Sequence, residues 1–209
     1  MTDVYLEIGK SRVFACAVGW PGWARAARSE DLALETLDAY EDRYAVIAAA
    51  AKVKFKPTEF VVVQRIPGDA GTDFGAPSKP AAADVGPFPP SEVDLLGAAW
   101  RVFDSFAAKS VAELRKGPRG GGRDRDKMID HVLGSEASYA RAIGLKPKQP
   151  ALDDVPAIEA MRASIIAALL DAAGDGQPRT PKGWPPRYVL RRMAWHVIDH
   201  LWEMEDRQR

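Results

Sequence analysis

The chain has 209 residues, of which 46% are hydrophobic and 28% charged, a composition that excludes disordered and fibrous proteins and leaves room for two small globular domains. Lysines and arginines number 29 and so do aspartates and glutamates, so no overall field draws the protein to nucleic acid or to an anionic membrane. The single cysteine excludes an internal disulfide, and with no leader-like N-terminus and no apolar stretch longer than residues 45–51 we expect a cytoplasmic protein without a transmembrane helix.

Two alternating apolar segments near the N-terminus, residues 4–8 and 12–18, predict a β-hairpin. A long helix follows, with Ser29 as its N-cap and one apolar stripe that continues to Ile47. Residues 60–66 predict a third strand. This order predicts a small antiparallel β-sheet with one helix on its face, an α+β unit.

Residues 3–66 resemble the HicB-like antitoxin half-domain. The resemblance lies in the hairpin, in residues 20–23 (WPGW) and in residues 29–34 (SEDLAL). It implies a sheet that binds another surface, either a protein partner or the second half of this same chain. HicB antitoxins add a DNA-binding element, and no helix-turn-helix or ribbon-helix-helix pattern follows residue 66.

Residues 67–91 are rich in proline and glycine and lack a periodic apolar pattern, which predicts a linker between a domain at 1–66 and a domain at 92–209. Four helices of similar length are predicted in the second domain, and they indicate a four-helix bundle. Ser91 is expected to cap the first, and the others are expected to begin at about Asp126, after Asp153 or Asp154, and near Pro185 and Pro186. Gly144 is expected to end the second helix. The whole chain is therefore predicted to be α+β.

The three histidines of the chain all fall on two of these helices. His196 and His200 are spaced i, i+4, so one metal ion can touch both rings from one helix face. His131 lies on another helix, which a bundle can bring opposite them. A lone histidine on a helix is more often a surface or core residue with a satisfied hydrogen bond. Three neutral imidazoles that converge on an interior would need a common partner, and a divalent metal supplies one.

Three further residues are candidates for supporting roles at this site. Asp130 and Asp199, each beside a histidine, could accept the second ring N–H. Glu203 could be a fourth ligand, a catalytic base, or half of an exposed pair with Arg207.

Two other residues are candidate catalytic groups together with Glu203. Tyr139 lies two turns after His131 on the same helix face. Arg192, one turn before His196, could meet an anionic group of a substrate. The loop at 116–123, rich in glycine and arginine, is either a flexible connector or a mobile cationic flap over the site, because it lacks the ending of a phosphate-binding loop.

The second half of the chain resembles the DinB-like superfamily, which includes mycothiol-dependent maleylpyruvate isomerases and bacterial thiol S-transferases. The resemblance covers roughly residues 92–207 and lies in residues 129–136 (IDHVLGSE) and 194–200 (AWHVIDH). It implies an up-down-down-up four-helix bundle, often a homodimer, with a metal bound by His131, His196 and His200.

Three nitrogen ligands leave a coordination position open, which favours an enzyme. We expect a metal-dependent transferase, isomerase or hydrolase that activates a thiol or water against a small molecule, and the substrate could be a low-molecular-weight thiol. Zinc is the expected metal, and nickel or iron(II) is compatible with three imidazoles. The alternative is a non-catalytic binding protein in which the metal stabilises the bundle and the HicB-like sheet engages a protein partner.

Overall fold

A computed structural model gives the structure of the protein and describes residues 1–117 and 122–208. Within them the N-terminal part forms a four-stranded sheet of β1 (Thr2–Ile8), β2 (Val13–Ala17), β3 (Ala24–Ala27) and β4 (Phe60–Pro67), ordered β3-β2-β1-β4. β1 and β2 form the predicted hairpin, with Tyr5 opposite Cys16. The α+β class is confirmed.

The sheet is mixed, so the prediction of an antiparallel sheet is wrong. β2 pairs antiparallel with both β1 and β3, but β4 lies parallel to β1. An alternation of apolar residues indicates which face of a strand is buried and does not encode the direction of its neighbour. β3 was not predicted, because its residues, Ala24 to Ala27, carry no such alternation.

The single helix predicted on the sheet is two helices, α1 (Glu30–Asp38) and α2 (Glu41–Ala50). Ser29 is the N-cap of α1 as predicted, since its side chain accepts the N–H of Leu32. The break falls at Tyr40, whose backbone leaves the helical region at φ −102 and ψ 8. No glycine or proline marks the break. Instead the Tyr40 ring packs against Trp202, at 4.8 Å between centroids, a contact that sequence periodicity does not show.

Both faces of the sheet are covered by other parts of this chain. One face presents Val4 and Leu6 to a buried core that also contains Leu37 of α1. The other face presents Phe14 to Trp195, with ring centroids 6.0 Å apart and almost perpendicular.

Four long helices follow: α4 (Pro90–Ala107), α5 (Arg125–Ala142), α6 (Val155–Ala173) and α7 (Pro186–Asp206), with a short helix α3 (Ala70–Phe74) before them. α7 contacts α4, α5 and α6. The N-cap of α4 is Pro89 and the helix begins with Pro90, so the predicted cap at Ser91 is wrong by two residues. Gly144, with φ +88, follows the end of α5 as predicted. None of the helices in the described residues is long and apolar enough to cross a membrane.

The segment predicted as a linker, 67–91, packs closely on its neighbours. It contains α3 and a short 3-10 helix, Ala82–Asp84. The buried carboxylate of Glu7 accepts the backbone N–H of Ser78 at 2.9 Å and that of Lys79 at 3.2 Å. A continuous buried core then joins residues of the sheet, such as Leu6, to residues of the long helices, such as Leu133.

Candidate metal centre

Two helices bring the three histidines together. His131 lies in α5, and His196 and His200 lie one turn apart on α7. α7 starts with Pro186, whose fixed φ suits a first turn, and it is buried along most of its length. Because α5 and α7 contact each other, the three imidazoles meet between them. The predicted grouping of the histidines is confirmed.

The three rings are close enough to share one ion. One nitrogen from each ring lies within 4.8 Å of the others. Nε2 of His131 is 3.1 Å from Nε2 of His196, and the ring centroids of His196 and His200 are 4.6 Å apart. Two nitrogen ligands of one tetrahedral zinc, at bonds of about 2.0–2.1 Å, stand about 3.4 Å apart. The Nε2 atoms of His131 and His196 therefore already lie at about the spacing of two ligands on one metal.

Two of the imidazoles are held neutral. Burial, more than any other cause, lowers the pKa of His196 to about 2, and His200, His131 and the cationic Arg192 lower it further. Burial also lowers the pKa of His131 to about 4, with contributions from His200 and Arg123. A neutral imidazole offers the lone pair that a metal needs.

The contact between the two Nε2 atoms indicates what the site can hold. Two nitrogen lone pairs that face each other at 3.1 Å repel, so the contact requires either a proton on one of the rings or a cation between them. His196 is 8% exposed and His200 9%, which limits the access of water. Neutral imidazoles suit zinc, nickel and iron(II). The residues present therefore fit a divalent transition metal.

Glu203 orients His200. Nδ1 of His200 lies 2.9 Å from Oε2 of Glu203. The hydrogen bond to His200 lowers the pKa of Glu203, so the carboxylate is ionised and can only accept. Nδ1 of His200 therefore carries the ring proton, and its Nε2 is left free for a ligand role. Glu203 is not a member of the three-residue cluster, so the prediction that it could be a fourth ligand gains no support from the geometry.

Arg207 holds the other oxygen of Glu203. Its Nη1 donates to Oε1 at 2.7 Å, and its Nε donates to the carbonyl of Arg115 at 2.6 Å. Only 7% of Arg207 is exposed. Glu203 and Arg207 do pair, but the prediction that the pair is exposed is wrong, because the segment around Arg115 covers the arginine.

The aspartates beside the histidines have other partners. Oδ1 of Asp130 accepts the side-chain amide of Gln149 at 2.7 Å. Oδ1 of Asp199 accepts Nη1 of Arg25 at 2.8 Å. Neither is hydrogen-bonded to a histidine ring in the described residues, so the prediction that these two aspartates fix the tautomers is wrong. Neighbours along a helix point about 100° apart, and this rotation carries each aspartate away from the cluster.

Tyr139 and Arg192 lie beside His196, as their positions on the helices predict. The Tyr139 ring packs edge-on against His196, with centroids 5.9 Å apart. The Arg192 guanidinium lies 5.7 Å from the centre of the Tyr139 ring and 4.7 Å from that of Trp195.

A cavity of about 640 Å³ has Glu203 in its wall and none of the three histidines. Its walls include Tyr40, Trp202, Arg25 and Arg207. Of the predicted cationic flap, residues 116 and 117 line this cavity, and residues 118–121 lie outside the described residues.

Sequence reasoning missed the support that Arg115 and Arg207 give to the centre. The spacing of Glu203 and Arg207, four residues apart on one helix, did signal that they pair. The contact with Arg115 joins residues 92 positions apart and has no local signal.

Comparison of the chain with family models, with curated proteins and with solved structures finds no match.

Proposed function

We propose that this protein is a metal-dependent enzyme in which His131, His196 and His200 bind one divalent transition metal, with zinc preferred over nickel and iron(II). The activity proposed is that of a transferase, isomerase or hydrolase acting on a small molecule, in which the metal activates a thiol or water. The four long helices are proposed to form a DinB-like bundle around this centre. The observation that carries the proposal is the convergence of three imidazole nitrogens within 4.8 Å.

The residues of the chain prepare such a centre for catalysis. Burial keeps His131 and His196 neutral, and Glu203 fixes the tautomer of His200. Three protein ligands are the number that catalytic zinc sites use, whereas structural zinc sites are closed by four. A metal held in this way lowers the pKa of a thiol or water, giving a nucleophile near neutral pH. His131 is more exposed than the other two histidines.

The alternative, a binding protein whose sheet engages a protein partner, has less support. Such binding needs a free sheet face, and the two faces of this sheet are covered by α1 and α2 on one side and by Trp195 of α7 on the other. The HicB-like part is proposed instead to pack on the second half of its own chain.

The experiment loads the protein with cobalt(II), whose absorption spectrum reports the ligands and geometry of the ion, and adds dithiothreitol as a thiol probe. We expect the spectrum to change on addition of the thiol, because a three-histidine site keeps one position for an exogenous ligand. An unchanged spectrum would mean a closed, structural metal and would overturn the enzyme proposal. The matched control is His196→Ala, in which the cobalt spectrum itself should be lost.

A further inference from the structure

Arg192 differs from its neighbouring arginines on α7. Arg187 is paired with Glu92, Arg191 with Asp84 and Arg207 with Glu203. Within residues 1–117 and 122–208, Arg192 has no carboxylate partner. Its one protein hydrogen bond there is from Nη1 to the carbonyl of Pro77, at 3.1 Å.

The guanidinium of Arg192 is held in place by apolar groups. It lies against the rings of Trp195 and Tyr139, at 4.7 and 5.7 Å from their centres, and the side chain is half-buried. A guanidinium carries five N–H donors in a planar fork, and the bond to Pro77 uses one of them. None of the Arg192 nitrogens is sealed from solvent without a partner, so the remaining donors can receive a ligand.

This cation is linked to the proposed metal ligands through Tyr139. Tyr139, which lies under the guanidinium, also packs on His196, and Arg192 precedes His196 by one helical turn. Arg192 and Arg123 are the charged residues outside the cluster that most lower the pKa of His196. A divalent metal at the histidines would add two positive charges beside an arginine that no carboxylate balances. Such an arrangement attracts an anion to the free donors of the guanidinium.

We propose that Arg192 binds a carboxylate group of the small molecule on which the metal centre acts. The planar fork of the guanidinium matches a carboxylate, and the half-buried ring of Tyr139 offers an apolar surface to the rest of the molecule. Arg192 is a binding and specificity-determining residue in this scheme. The inference rests on the proposed function because the ligand is the substrate of that centre, but the contact itself is measured separately from the metal.

The test compares benzoate with benzamide, its neutral isostere, by calorimetry on the metal-free and the cobalt-loaded protein. We expect benzoate to bind more tightly than benzamide, and more tightly still when cobalt is present. Arg192→Gln should weaken benzoate binding about tenfold or more, the effect of losing a charge-assisted hydrogen bond. The matched control is Arg28→Gln, which removes an exposed arginine and should leave benzoate binding unchanged.

A second readout separates recognition from a packing role. Removing a cation beside the histidines should leave cobalt affinity equal or raise it severalfold, so metal and benzoate affinities respond differently in Arg192→Gln. Equal binding of benzoate and benzamide, or full benzoate binding by Arg192→Gln, would overturn the proposal, and so would the loss of cobalt from this variant. Should Arg192→Gln fail to fold, Arg192→Lys takes its place, because it keeps the charge and the apolar stem but loses the planar fork. Benzoate binding by Arg192→Lys that is as tight as in the wild type would also overturn the proposal.

The two proposals fail in different ways. If the wild-type protein takes up no cobalt at the histidines but its metal-free form binds benzoate through Arg192, the metal-dependent function is overturned and the carboxylate site stands. If cobalt binds and Arg192→Gln has the same affinity for benzoate as the wild type, the carboxylate site is overturned and the metal centre stands.

Discussion

Nδ1 of His200 lies 2.9 Å from the carboxylate of Glu203, and this hydrogen bond decides which nitrogen of His200 faces the other two histidines. Glu203 is ionised and held in place by Arg207, so it accepts the Nδ1 proton. The position of one proposed metal ligand therefore depends on a carboxylate that is not itself in the cluster.

Glu203→Gln is expected to weaken metal binding about 10- to 100-fold, the usual effect of removing the partner of a ligating histidine. The matched control is Asp199→Asn, which removes a carboxylate of the same helix that bonds Arg25 instead of a histidine. Competition for zinc against a chromophoric chelator measures both affinities. Equal affinity in Glu203→Gln and the wild type would show that Glu203 does not orient His200.

Acid is expected to destabilise the metal-free protein below pH 6.5. In the folded chain the pKa of His196 is about 2 and that of His131 about 4, whereas both have a pKa near 6.5 once unfolded. Between these values the unfolded chain binds more protons, so the free energy of unfolding falls as the pH falls and is highest above 6.5.

Each histidine contributes a slope of at most about 1.4 kcal/mol per pH unit. Urea unfolding of the metal-free protein at several pH values between about 5 and 7 measures the slope of the unfolding free energy against pH. His196→Gln removes one of the two groups and should flatten the slope. A wild-type stability that does not change over this range would contradict the burial of neutral rings.

A buried ion pair between α5 and α6 is expected to matter for stability. Arg162 donates to both oxygens of Glu136, at 3.0 and 3.1 Å, and only 1% of Glu136 is exposed. Burial raises the pKa of Glu136 in spite of Arg162. Glu136→Ala leaves the arginine without its bidentate partner and should cost about 3–5 kcal/mol of unfolding free energy.

Denaturant unfolding of Glu136→Ala tests this expectation. Arg179→Ala is the control, because Arg179 pairs with Asp175 at the surface, where screening makes a pair weak. The double variant Glu136→Leu with Arg162→Met should recover most of the loss. If Glu136→Ala unfolds at the same denaturant concentration as the wild type, the pair does not stabilise the fold.

The sheet and the long helices are expected to unfold together. Arg187 of α7 donates to Glu92 of α4, to the carbonyl of Ala83 at 2.6 Å and to that of Val18, after β2, at 3.2 Å. These bonds and the shared core join the two predicted domains. Hydrogen exchange read by mass spectrometry should give β1 and α5 the same opening free energy. Exchange of one of them far ahead of the other would show two independent units.

The sequence was sufficient for the features that depend on local periodicity. The hairpin, the helix ends at Gly144 and Pro186, and the pairing of His196 with His200 all follow from spacings within one element. His131 could be assigned to the cluster because the chain has three histidines in all and each falls on a helix.

The features that escaped prediction depend on contacts between distant segments. The parallel pairing of β4 with β1 and the contact of Tyr40 with Trp202 at the helix break both involve neighbours far along the chain. The roles of Asp130 and Asp199 were predicted from adjacency in sequence, whereas on a helix the residue three or four positions away shares the face. Glu203 holds that relation to His200, and it makes the bond that the aspartates were expected to make.

Metal stoichiometry of the purified protein, measured by elemental analysis after saturation with zinc and removal of the excess, tests the central claim most directly. The wild-type protein is expected to retain one zinc per chain, with Asp199→Asn equal to it, and His131→Ala, His196→Ala and His200→Ala are each expected to retain almost none. Full zinc content in any of the three alanine variants, or no zinc in the wild type, would contradict a shared three-histidine centre.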